Sequence, residues 1–97
     1  MNIPEKLKII GKTYDVQMGA TIATDEGYVC LGRHRGGLNS IQINPGYPQQ
    51  TQDSTLLHEI LEAINNNFEM ELKHSQITTL EETLYQVLKD NKLHFDE

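Results

Sequence analysis

His58, Glu59 and Glu62 stand within the stretch TLLHEILEAI, residues 55–64. On a helix with about 100° per residue, positions 58 and 62 project about 40° apart, one turn from each other. A histidine and a carboxylate at that spacing can hold one metal ion, since zinc accepts imidazole nitrogen and carboxylate oxygen alike. Glu59 projects about 100° from His58. It would lie beside such an ion, as suits a general base that takes a proton from a water held there. The pattern departs from the metallopeptidase signature H-E-x-x-H at one place, where Glu62 stands for the second histidine. A plain amphipathic helix accounts for the same residues without chemistry. Leu57, Ile60, Leu61, Ile64 and Phe68 keep helical spacing on the side opposite His58 and Glu62.

A third ligand has two candidates. Glu81 falls at the edge of a second apolar stripe, formed by Ile77, Leu80, Leu84, Val87 and Leu88. A carboxylate at the edge of a core needs a partner, because an unpaired buried charge is costly. A metal on the neighbouring helix would be one, and water or Tyr85 another. His74 precedes that helix in a loop, from which it could fold back toward His58; as a plain surface histidine it needs no such role. On one helix, His74 and Glu81 would stand two turns apart, about 10 Å, too far to serve one ion together. The two are therefore alternatives. His34 and His94 have no partner pattern and read as structural or solvated.

These residues need elements to position them. Residues 6–10 and 13–18 alternate around the turn signal Gly11-Lys12, with Tyr14, Val16 and Met18 on one face. Residues 27–31 are β-rich, and residues 32–37 form a glycine-rich loop. The run from Ser40 to Asn44 alternates again, with Ile41 and Ile43 on one face, and Asn44-Pro45-Gly46 ends it. The first helix is expected to be capped by Asp53, Ser54 or Thr55 and to run to about Phe68, its end weakened by Asn65-Asn66-Asn67. The second is expected to start near Ser75 or Ile77 and to end near Lys89. Thr78 with Glu81, and Thr79 with Glu82, both fit a capping box. The expected fold class is α+β: a small antiparallel sheet of three to four strands followed by two helices. The 97 residues form one domain. It comprises a β-rich half over 1–50, a helical half over 51–92 and a frayed tail over 93–97.

Composition narrows the function classes. With 8 Lys+Arg against 14 Asp+Glu the net charge is −6, against a general nucleic-acid binder. The hydrophobic fraction is 37% and the mean hydropathy −0.51. No run approaches the roughly 18 apolar residues of a membrane helix. The opening MNIPEKLKII lacks the pattern of a signal peptide. The single cysteine, Cys30, cannot form an internal disulfide, so a reducing, cytoplasmic setting is expected.

Taken together, LLHEI followed by TTLEETLYQVLKDN resembles the small zincin-like proteins of phages and prophages, relatives of the ImmA/IrrE metallopeptidases. The resemblance covers residues 27–92. It implies a minimal zincin-like fold, with His58 as metal ligand, Glu59 as general base, Glu62 in place of the second histidine and Glu81 in place of the third ligand. It also implies extended substrate along the strand from Ser40 to Asn44. The departure at Glu62 weakens the preference for zinc over harder divalent ions. It also makes a water on the ion less acidic. His74 would restore a second nitrogen ligand.

The first function expected is thus a metal-dependent peptidase, with zinc or another divalent ion and a peptide or protein substrate. The alternative is a catalytically inactive zincin-like module without a metal, which binds a regulatory protein by strand addition along residues 40–44. A weaker reading gives the loop 32–39, with Arg33, Arg35 and Gly36-Gly37, an anion site; a glycine-rich hairpin loop explains those residues as well.

Overall fold

A computed structural model of the chain describes residues 3–19, 32–35 and 39–93, and of residues 32–35 the backbone alone. Strand β1 (Lys6–Ile9) turns directly into β2 (Lys12–Met18), and the two pair antiparallel with Ile9 opposite Lys12. The two-residue turn between them has positive φ at both positions, 52° at Ile10 and 76° at Gly11. That is the geometry of a hairpin turn matched to strand twist. Gly11 adopts it freely, whereas the β-branched Ile10 does not.

Two further strands, β3 (Gly32–Arg35) and β4 (Ser40–Ile43), complete a four-stranded sheet in the order β1-β2-β4-β3. The α+β class is as the sequence implies, but the sheet is mixed. β3 and β4 pair antiparallel, while β2 and β4 run parallel, with Val16 opposite Ile41 and Met18 opposite Ile43. A parallel pair needs a long crossover, and residues 19–39 provide it, with β3 placed at the far side of β4. Two expectations are corrected here. Gly32–Arg35, read as a loop, is a strand. The run beginning at Ser40 is an interior strand with a neighbour on each side, so its backbone is not free for strand addition; the described edges are β1 and β3. The expected strand over 27–31, Cys30, and residues 36–38 of the loop 32–39 read as an anion site lie outside the described residues, as do the side chains of Arg33 and Arg35 and all of His94.

Helix α1 (Gln49–Phe68) begins several residues before the expected caps. Asn44 makes the preceding turn, its Oδ1 accepting from Gly46 N–H at 2.9 Å. Pro48 caps the helix without a side-chain hydrogen bond. The Gln52 amide instead reaches back to the Tyr47 carbonyl at 2.7 Å, and Gln49 donates to Asp53 at 2.8 Å. Helix α2 (His74–Asp90) follows, with Lys73 at its cap. There the Gln76 side chain accepts from Lys73 N–H at 2.8 Å, the reciprocal half of a capping box.

The core joins Ile9, Tyr14, Val16, Ile41 and Ile43 from the sheet to Leu56 and Ala63 from α1. The buried face of α1 also carries Asp53, Thr55 and Glu59. It is therefore rotated from the expected Leu57–Leu61 stripe, and Phe68 is 60% exposed. The reason is that α1 has two neighbours: it lies against β3 and β4 on one side and packs on α2 on another. The face holding His58 and Glu62, expected in solvent, looks toward α2. On α2 only Ile77 is buried, while Leu80, Leu84 and Val87 are exposed. Among the described residues no helix is long and apolar enough to cross a membrane.

Candidate metal centre

The two helices bring all five sequence-predicted residues to one place. His58 lies at the α1–α2 interface, its side chain only 16% exposed. Its two ring nitrogens have different carboxylate neighbours. Nδ1 is 2.8 Å from Glu81 Oε1, across from α2, while Nε2 is 3.5 Å from Glu62 Oε1, one turn along α1. Glu81, 14% exposed, is thus a partner of His58 itself. His74 is the first residue of α2 and not a loop residue. Its ring centroid lies 5.2 Å from that of His58, tilted by 57°. His58, Glu62 and His74 each offer a ligand atom within 4.8 Å of the others.

That trio fits a divalent ion. Bonds of about 2.1 Å around a tetrahedral ion separate its ligand atoms by roughly 3.4 Å. The pair on α1 already stands at 3.5 Å. His74 would close by a side-chain adjustment at the exposed end of the cluster. The donor set, two imidazoles and one carboxylate, is one zinc commonly takes.

Glu59 sits beside the trio but points inward. It is 5% exposed, and no described residue hydrogen-bonds its carboxylate. Burial, and then the nearby Glu62 and Glu81, push it up from its usual 4.5 to about 8. Two carboxylates against the one imidazole, Glu62 and Glu81, make a locus that favours a cation.

The loop that delivers His74 is itself held. Asn65 Oδ1 accepts from Leu72 N–H at 3.0 Å and Asn65 Nδ2 donates to the Leu72 carbonyl at 3.4 Å. Asn67 donates to the Tyr14 hydroxyl at 2.9 Å and accepts from Lys12 Nζ at 2.6 Å, which ties the helix end to β2. The asparagines expected to weaken this end therefore anchor it. The sequence signal was their type: an amide both donates and accepts, which suits a clamp on a turn. A groove of about 330 Å³ opens beside Glu81 and is lined also by Pro48, Thr51, Ser54, Glu82 and Tyr85.

No family model, curated protein or solved structure matches the chain.

Proposed function

We propose that the chain is a metal-dependent peptidase-like protein of the phage and prophage zincin-like kind, working in the cytoplasm on a peptide or protein. The observation that carries this reading is the approach of His58, Glu62 and His74 to within 4.8 Å of one another across two helices. Zinc fits the donor set best, and the one carboxylate among three ligands leaves room for a harder ion. When bound, the ion supplies Lewis acidity that polarises a scissile carbonyl. Glu59, once its carboxyl turns outward and is ionised beside the cation, acts as general base: it takes a proton from the attacking water and delivers it to the leaving amine. His58 and Glu62 hold the α1 side of the centre and His74 the α2 side.

The test begins with elemental analysis of the purified protein. About one zinc per chain is expected, lost in His58→Ala. A peptidase assay on the loaded protein, with Glu59→Gln beside it, then tests the base. Metal-free protein that takes up no zinc at neutral pH removes the reading, and equal peptidase activity in Glu59→Gln removes the role of Glu59.

A second reading is a non-catalytic module that holds a regulatory protein. It is favoured by the exposed Leu80, Leu84 and Val87 on α2, an apolar row that the described residues do not cover. Partner binding that survives both chelation and His58→Ala would support it.

A further inference from the structure

His58 presents two nitrogens, and the fold treats them differently. Nδ1 is engaged at 2.8 Å by Glu81, whereas Nε2 has only the longer 3.5 Å approach of Glu62. A neutral imidazole carries one N–H and one lone pair, and an ionised carboxylate can only accept. A carboxylate at 2.8 Å therefore keeps the proton on Nδ1 and leaves the Nε2 lone pair free. The two nitrogens of the ring diverge, so a group bonded to Nδ1 lies out of reach of an ion bound at Nε2.

The placement of Glu81 supports a fixed role. It stands one turn after Ile77, which is 1% exposed and locks α2 against the rest of the fold. His58 and Glu81 are both largely shielded from water, at 16% and 14% side-chain exposure, so the bond between them is little weakened by solvent. Glu81 also lies outside the trio of His58, Glu62 and His74.

From this we infer that Glu81 is a positioning residue that sets the tautomer and orientation of His58, and that His74, not Glu81, completes the ligand set. The inference rests on the metal-centre reading above and departs from the role the family resemblance gives Glu81. The glutamate on the second helix has moved from the ion to the back of its histidine. The histidine at the start of that helix takes the third place, and Glu62 keeps the second. Outer carboxylates of this type raise the basicity of the ligand and fix its ring, and losing one typically weakens metal binding 10–100-fold.

Zinc affinity by chelator competition, together with ¹⁵N NMR of the histidine rings, tests this on the full chain. Glu81→Ala is expected to keep one zinc per chain at saturation but to bind it about 10–100-fold more weakly, while His74→Ala loses stoichiometric zinc. His58 should carry its proton on Nδ1 in the zinc-loaded protein and in metal-free protein at pH 9. Glu81→Ala should lose that preference in the metal-free form, and Glu81→Gln, whose amide oxygen can still accept, should restore it. Circular dichroism identifies any variant that has not folded, in which case Glu81→Gln alone carries the comparison. Zinc bound through Nδ1 overturns the inference, as does a folded Glu81→Ala that binds no zinc or binds it as tightly as wild type. Wild-type protein without zinc uptake overturns the metal reading and this inference with it. Uptake in wild type without the tautomer and affinity pattern overturns the inference alone.

Discussion

Asn65 grips Leu72 through both of the latter's backbone groups, accepting from its N–H at 3.0 Å and donating to its carbonyl at 3.4 Å. Leu72 lies two residues before His74, so this clamp sets where α2 begins and where the exposed member of the metal trio stands. Asn65→Ala should lower stability by about 1–2 kcal/mol, the order of two lost hydrogen bonds. It should also weaken zinc binding without touching His58 or Glu62. Chemical denaturation and chelator competition measure both effects. Unchanged zinc affinity in a destabilised variant would mean that His74 finds its place without the clamp.

Burial and two neighbouring carboxylates hold Glu59 at about 8 against an ordinary 4.5. In metal-free protein the folded chain then carries more protons than the unfolded chain between those two values. Its contribution to stability is fully present below about 4.5 and is lost as pH rises through about 8. The slope for one proton cannot exceed roughly 1.4 kcal/mol per pH unit. Glu62, Glu81 and His58 surround this group, so the informative quantity is the difference from Glu59→Gln, in which the neighbours remain. Urea denaturation from pH 5 to 8 should show wild type losing stability relative to that variant. A constant difference across the range would place Glu59 in a more solvated setting.

The β1–β2 turn stores strain at Ile10, whose φ is 52°. Asparagine tolerates that region far better than a β-branched residue, and Asn-Gly is the favoured pair for this turn. Because Ile10 is 47% exposed, little packing is lost on replacing it. Ile10→Asn should raise stability by about 1 kcal/mol, seen as a higher denaturation midpoint with unchanged slope. A lower midpoint would show that the isoleucine side chain contributes more than its backbone costs.

The α2 stripe separates into two energetic classes. Ile77→Ala should cost about 2–4 kcal/mol, because Ile77 is 1% exposed. Leu84→Ala should cost less than about 1 kcal/mol, because Leu84 is 40% exposed. Similar losses for the two would mean that Leu84 is covered in solution, and sedimentation would show whether a second copy covers it.

The helical pair, the β1–β2 hairpin and the inward Ile41 and Ile43 were legible because periodicity reports them directly. The polar members of buried faces were not. Asp53 reads as a cap and Glu59 as a base beside an ion, yet both lie on the inner face of α1. Tertiary contact on two sides of that helix overrode the Leu57–Leu61 stripe. The start of α2 was legible to within a residue of Ser75, but its capping box was not: Lys73 is not a capping type, and Gln76 three residues on, not Glu81 or Glu82, closes it. The parallel β2–β4 pair was invisible because nothing local encodes which distant strand lies alongside. At the site, the residues were legible by type and spacing. Which nitrogen of His58 each carboxylate meets depends on helix packing, which no motif contains.

The parallel pair also bears on how the chain assembles. Pairing Val16 with Ile41 spans 25 positions, and pairing His58 with Glu81 spans 23. The entropic cost of closing a loop grows only slowly with its length. Chain closure therefore gives neither half a head start, and the candidate centre is expected to form in the same cooperative step as the sheet beneath it.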